Sequence, residues 1–546
     1  MLIVCASGGG AHHRISDALA AARPGETILV RPGVYREAVT LDRMVCLVGD
    51  GPADRIVIEN DAGPCLRMAA ARAAARGVTF RATAGPAGRK AFAVEAERGL
   101  LSLDGCVITS DTYSGVGASQ KGRVLMRGCR VIDGNESGVF AFAGGRIVAT
   151  DCDVDDNRLS GACSKDRGEV VLRRCRSRRS KESCGVLAVV EDCVFEGNQY
   201  SAVEAREASE VSVRGGTVRG CGAGVLAWKD SRAEVDGLDM ADVKYSGLSA
   251  HSGGVVLARR CRVTGATQGS GVFAYDKGRA HVEDCDFLNN RYAGLEAKGG
   301  SEATLLRCRI EEHVETAGLF VQEDATATAE DCTISGNVFA CVEARKSGSV
   351  TLRRCRLRGS ARGGGVFVHT RARALVEGCE IEDNHCAAVE VKEAEAVVRD
   401  SRLSGCRDGS GVLAWKNGWV TLEGCESWGH KYAGLAARED GAVVARGCKL
   451  HGHPDSSGLL AVERGMAEAR DCEMWNNKNG ARATGSELAL HGCHVHDNTA
   501  DGVVLDGEGR LTLEDCRVVG NGGYGLSGAT TATRCDLSGN ALGETR

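Results

Sequence analysis

Apolar residues along this chain fall into short alternating runs that recur at a nearly fixed interval. One run reads Gly-Val-x-Ala, as at 271–274. A second reads apolar-x-apolar, as at 350–352, and a third reads Cys-x-Val/Ile/Leu, as at 332–334. Alternation with period two over so few residues predicts strands, because successive strand side chains point to opposite faces. The cysteines mark the interval. They stand at Cys106, Cys129, Cys152, Cys175 and Cys193, then at Cys261, Cys285, Cys308, Cys332, Cys355 and Cys379, then at Cys425, Cys448, Cys472, Cys493, Cys516 and Cys535. Most steps are 23 or 24 residues, and Gly216, Leu238 and Ser401 fill the vacant places. The steps 175 to 193 and 516 to 535 are shorter, having lost a turn after Gly-Val-Leu-Ala or Gly-Leu-Ser-Gly.

Three strands per interval, with glycine or asparagine at the bends (Asn135, Asn198, Asn290, Asn337, Asn384), predict an all-β fold. The expected architecture is a single-stranded right-handed parallel β-helix with three short strands in each coil of about 23 residues. About 22 coils stacked ~4.8 Å apart predict a rod on the order of 105 Å long. Leucine-rich repeats have a similar period, but their Leu-x-x-Leu-x-Leu signature is absent.

The first residues depart from the repeat. A strand at 2–5 and a short amphipathic helix at 15–22 are expected to cover the open edge of the first coil. The predicted organisation is a cap and first coil over 1–40, the β-helix over 41–535 and a tail over 536–546. In this opening stand Ser16-Asp17-Ala18-Leu19, Pro24-Gly25-Glu26-Thr27-Ile28, Pro32-Gly33-Val34-Tyr35-Arg36-Glu37 and Val48-Gly49-Asp50-Gly51. They resemble the start of the pectin-lyase-like superfamily, which pectin methylesterases share with β-helix repeat proteins of the NosD/CASH type. The later coils, with Gly-Val, Cys-x-Ile and Asn, are similar to the CASH-type repeat. The resemblance implies the fold strongly and an activity only weakly.

In-register stacking turns the sequence into columns. Stacked cysteines read as a ladder of small buried hydrophobes. Their ~4.8 Å spacing exceeds what a disulfide wants, and no Cys-x-x-Cys pair suggests a metal. Charges flanking the cysteines alternate from coil to coil: Arg307 and Arg309, then Glu330 and Asp331, then Arg353, Arg354 and Arg356, then Glu377 and Glu380. Each acid is thus set beside a base, and like charges are kept two coils apart. The Gly-Val strands show the same doubling on their outward positions. One set of coils carries Leu226 with Trp228, Phe273 with Tyr275, Phe320 with Gln322, Phe367 with His369, and Leu413 with Trp415. The other carries Glu204 with Arg206, Glu296 with Lys298, Glu343 with Arg345, and Glu390 with Lys392. Two readings of this face stand side by side. Basic groups over aromatic rings make a self-satisfying ladder, and an apolar stripe rimmed by charge makes a binding site.

Net charge is −5, so no overall basic field draws nucleic acid or an anionic membrane, and no apolar stretch is long enough to span one. The 26 cysteines accompany an opening with no secretory pattern, so the expected setting is a reducing cytoplasm. No cofactor, metal ion or catalytic residue is expected. Glu296 and Glu343 fall about 9.6 Å apart by coil arithmetic, near the ~6.5–9.5 Å of inverting glycosidases. Against catalysis, each glutamate has a base two residues away on its own strand, which predicts an ionised pair. The arrangement also repeats, and the catalytic motifs of the pectin methylesterases, alginate epimerases, polygalacturonases and pectate lyases are missing. Histidines gather late, at His451, His453, His491, His494 and His496, and are read as scattered surface residues rather than a metal site.

The first functional reading is therefore a non-catalytic binding or scaffold module for a protein or glycan partner. Its candidate residues are Trp228, Phe273, Tyr275, Glu296, Lys298, Phe320, Glu343, Arg345, Phe367, His369, Glu390 and Trp415. The alternative is a polysaccharide lyase, hydrolase or epimerase. A notch is expected at the short 175 to 193 coil, and the final coil, lacking a recognisable cap, is left to meet a subunit, a partner or a loop.

Overall fold

The computed structural model describes residues 1–86, 88–181, 189–528 and 531–546. They divide into two compact units, Met1–Arg262 and Val263–Arg546, each built of right-handed parallel β-helix coils. The notch expected in the 175 to 193 coil falls largely on 182–188, outside the described residues.

The first unit begins with the strand Leu2–Val4, which runs parallel to Thr27–Val30 with Leu2 beside Ile28. The helix Ile15–Ala21 buries Ile15, Ala18 and Leu19 against these strands. Its N-terminus is capped from a distance. Glu37 accepts the backbone N–H of Ile15 at 2.8 Å and of Ser16 at 2.9 Å, satisfying donors that a helix start leaves open. The Tyr35 hydroxyl donates to the Arg31 carbonyl at 2.8 Å. Part of the Gly-Val-Tyr-Arg-Glu segment thus has a structural role in seating the cap.

In the second unit a coil consists of the strands Val272–Tyr275, Arg279–Glu283 and Asp286–Leu288. The next coil repeats them as Leu295–Lys298, Glu302–Leu306 and Arg309–Glu311. Pairing is parallel and in register, so Val272, Leu295, Leu319 and Val342 stack in a fully buried column. The chain turns between strands through residues at positive φ: Asp276 and Lys277, then Asp284, then Asn289. Asp and Asn tolerate this left-handed region better than most residues. Two coils on, Gly336 takes the third corner at no steric cost.

The cysteines align inside the coils. The backbone N–H of Cys308 donates to Cys332 Sγ at 3.4 Å, and that of Cys355 to Cys379 Sγ at 3.4 Å; Cys129 and Cys152 make the same contact in the first unit. Each thiol also donates to the carbonyl two residues earlier, as Cys332 does to Glu330 at 3.3 Å. Outside this ladder, burial pushes the Cys65 and Cys406 thiols up to about 12, so they stay protonated at neutral pH. The described cysteines are all free.

A second interior column is polar. In the second unit Asn290, Asn337, Asn384, Asn477, Asn498 and Asn521 lie in one register. Each Oδ1 accepts a backbone N–H from the preceding coil at 3.0–3.2 Å. Histidines substitute in this column: His313 Nδ1 accepts from Asn290 at 3.1 Å and His430 Nδ1 from Cys406 at 3.2 Å. His453 occupies the same column, fully buried, with Nδ1 2.7 Å from Asn477 Oδ1. It is therefore not among scattered surface histidines. In the first unit Asn157 holds the column position by accepting from Gly134 at 3.1 Å; Asn135 lies one residue beyond it and reaches the Thr112 carbonyl instead.

On the outside, the charge columns pair across coils. Arg307 donates to both oxygens of Asp284 at 2.8 and 2.9 Å, and Arg354 to both oxygens of Asp331 at 2.9 and 3.0 Å. Arg353, Glu377, Arg399 and Glu423 occupy successive places in one column. The stretch 536–546, expected as a tail, contains the strand Gly543–Thr545, parallel to Tyr524–Ser527. Asn540 there extends the asparagine column by accepting from Asn521 at 3.0 Å.

Two measurements check this interior. The partly exposed thiols Cys46, Cys163, Cys386 and Cys535 are expected to react with Ellman's reagent in the native protein. The column thiols should wait for unfolding, and rapid native labelling of Cys332 would contradict the packing. Burial also holds His313 down to about 4, whereas an unfolded histidine titrates near ~6.5. Between these values the unfolded chain binds more protons at this residue, so the stability His313 contributes is intact above pH ~6.5 and is lost as pH falls toward 4. Replacing His313 by Asn, which keeps an acceptor, should remove on the order of 2–3 kcal/mol of that acid loss in urea unfolding. An unchanged pH dependence would reject the assignment.

Candidate functional site

The outward positions of the Gly-Val strands form the candidate face. Alternation forces this placement: Val272 and Ala274 are fully buried, so Phe273 and Tyr275 emerge. Register then sets Phe273 beside Glu296, Glu296 beside Phe320, Phe320 beside Glu343, Glu343 beside Phe367, and Phe367 beside Glu390. In the first unit Trp228 occupies the position equivalent to Tyr275, and Arg206 lies 5.3 Å and Lys229 4.3 Å from its ring. The other candidate residues all belong to the second unit.

In the second unit the cations sit over the rings. Lys298 is 5.1 Å from the Phe273 centroid and 5.3 Å from that of Tyr275, two rings stacked 6° from parallel. Arg345 lies 4.6 Å over Phe320 and Lys392 4.9 Å over Trp415. Contacts of this kind are worth about 0.5–1 kcal/mol where exposed and more where desolvated.

The carboxylates lie deeper. Glu296 is 3.8 Å from Lys298 Nζ and accepts from Gln322 Nε2 at 3.4 Å. Glu343, with 7% of its side chain exposed, meets His369 Nε2 at 3.1 Å and Arg345 at 3.5 Å. Glu390 accepts the Trp415 indole N–H at 3.0 Å. Arg345 Nε also donates to Gln322 Oε1 at 3.0 Å, so these groups form a chain of contacts across several coils.

Two expectations change here. Phe320 is buried at 5% exposure, and Phe273, Phe367 and Trp415 are half-buried, so the rings present less open apolar surface than a bare stripe would. Burial also raises the Glu296 and Glu390 carboxyls above the ordinary range, although a lysine stands two residues from each.

A second aromatic row was not anticipated. Tyr292, Phe339 and Tyr432 each stand two residues after a member of the interior polar column, at Asn290, Asn337 and His430. Phe339 and Tyr432 are exposed, at 38% and 47%, and the Phe339 ring lies 6.2 Å from that of Phe367. The first-unit residues Tyr200 and Tyr245 hold equivalent positions at 48% and 51% exposure. The signal was available as a recurrence near every second coil. It lay hidden because these residues sit in bends and outside the alternating runs.

Because Glu343 is buried with two partners, its truncation to Ala is expected to cost about 1.5–3 kcal/mol. Removing the exposed Arg353 partner of Glu377 should cost less than ~0.5 kcal/mol. Urea unfolding of the two variants checks the contrast, and equal effects would mean the buried contacts contribute nothing.

The family description "Right handed beta helix region" matches residues 72–188, 246–391, 317–453 and 389–542. No curated protein matches the chain. Among solved structures it is similar to a pectin methylesterase from carrot, with 16% identity and a TM-score of 0.27 over 56% of this chain and 82% of that one. It is similar to a PL6 family alginate lyase, with 10% identity and a TM-score of 0.28 over 97% and 98%. The catalytic unit of an α-1,3-glucanase from Streptomyces thermodiastaticus gives 12% identity and a TM-score of 0.28 over 64% and 61%. Likeness at this level carries no argument about chemistry.

Proposed function

The chain belongs to the right-handed beta helix family, and on that scaffold we propose a non-catalytic binding module whose outward Gly-Val face takes an extended acidic glycan. The observation that carries this reading is the layering of charge. Lys298 and Arg345 keep 30% and 35% of their side chains exposed, whereas Glu296 and Glu343 keep 15% and 7%. An approaching ligand therefore meets cations and ring surfaces before it meets carboxylates. The pattern recurs every second coil, which suits a polymer with its own repeat better than a single compact ligand. Half-buried rings beside the cations supply apolar area for sugar faces, and the bend aromatics Phe339 and Tyr432 extend it.

Affinity electrophoresis through gels containing polygalacturonate or alginate tests the reading. Retardation is expected, and the K298A/R345A double variant should migrate at least about threefold less retarded. Equal retardation of the variant would remove the face from consideration, and no retardation in any acidic polymer would favour a protein partner.

A second reading, polysaccharide cleavage, draws support from the raised carboxyls of Glu296 and Glu390, since a protonated carboxyl can serve as a general acid. Unsaturated products or new reducing ends after incubation with the same polymers would establish it. Their absence, together with binding, supports the non-catalytic module.

A further inference from the structure

We propose that Glu473, His494 and His496 form a binding site for one divalent transition-metal ion of the Zn²⁺ class. The three residues stand on neighbouring parallel strands, Glu473–Trp475 and His494–His496, with Glu473 opposite His494 and Trp475 opposite His496. Val495 points into the core and is fully buried, so the flanking imidazoles emerge on the same side, their centroids 4.1 Å apart. One ligand atom from each residue lies within 4.8 Å of the other two. Side-chain rotations that draw the three atoms together would bring an ion between them to the ~2.0–2.2 Å bonds that Zn²⁺ makes to nitrogen and oxygen.

The surroundings prepare the ligands. His496 Nδ1 lies 2.7 Å from Asp497 Oδ2, and a proton donated there leaves the lone pair on Nε2. That nitrogen faces Glu473 Oε1 at 3.2 Å. A nitrogen lone pair and a carboxylate this close call for a cation between them, either a proton or a metal ion. The His496 ring is also held in a stack with Trp475, 4° from parallel, and Trp475 stacks in turn on His451 at 4.2 Å.

The site interrupts the repeat. Arg402, Glu426, Lys449 and Glu473 alternate in sign along one column, but the next two places hold His494 and Arg517. An imidazole, unlike the lysine or arginine that the alternation would place here, can offer a nitrogen lone pair to a metal ion. Two imidazoles and one carboxylate suit Zn²⁺ or Co²⁺, while Ca²⁺ and Mg²⁺ prefer oxygen donors throughout. Three protein ligands leave a coordination place for water or an outside donor.

The test uses the full-length protein stripped with EDTA and titrated with Co²⁺ alone. Visible d–d absorption should saturate at about one ion per chain, without a thiolate-to-cobalt charge-transfer band, and Zn²⁺ should displace it. The H494A/H496A chain should lose this absorption, and Asp497→Asn should weaken binding about tenfold. Circular dichroism checks that the variants fold, and Glu473→Gln reads the same loss should the double variant unfold. Absence of a saturating signal, appearance of the thiolate band, or undiminished binding in a folded H494A/H496A chain would overturn the proposal.

Discussion

Parallel strands in register set each residue beside its equivalent one coil away, about 4.8 Å distant, and every column in this protein answers to that constraint. A side chain in such a column must be compatible with a near copy of itself. Apolar residues meet the condition readily, as Val272, Leu295, Leu319 and Val342 do. Cysteine meets it because a protonated thiol is small and carries its own donor, which each turn satisfies with the carbonyl two residues back. Asparagine meets it because its carbonyl oxygen accepts from the coil before while its own backbone N–H serves the coil after, as in Asn477, Asn498 and Asn521.

Charged and aromatic side chains do not stack on copies of themselves so easily, and here the chain doubles its period. Arg353, Glu377, Arg399 and Glu423 alternate in sign; Phe320, Glu343, Phe367 and Glu390 alternate ring with carboxylate. Each exposed ion pair contributes a few tenths of a kcal/mol. Their collective effect is to penalise a slip by one coil, since a slip would set like against like throughout.

On the outward faces some side chains depart from simple pairing with the next coil. Glu343 is drawn inward and shared between His369 and Arg345. The alternation of sign lapses where His494 meets Arg517. Both departures occur on outward faces, where a change does not disturb the thiol and asparagine columns inside, so the scaffold can carry local variation without losing register.

Sequence alone determined the coil period, the three strands, the inward cysteines and the two-coil alternation, because each is a repeating one-dimensional pattern and in-register stacking converts sequence distance into a column. It also located the capping helix. Depth was decided only by the tertiary structure. That Phe320 is buried while Phe339 is exposed, that Glu296 and Glu390 lose enough solvent to raise their carboxyls, and that His453 lies in the interior column depend on how neighbouring coils and bends cover a residue. The meeting of Glu473 with His494 and His496 likewise required the register of the Glu473 and His494 strands and the bend beyond them, where Asp497 orients a ring. Periodicity encodes which side chains share a column; solvent access and the angle of approach are properties of the assembled surface.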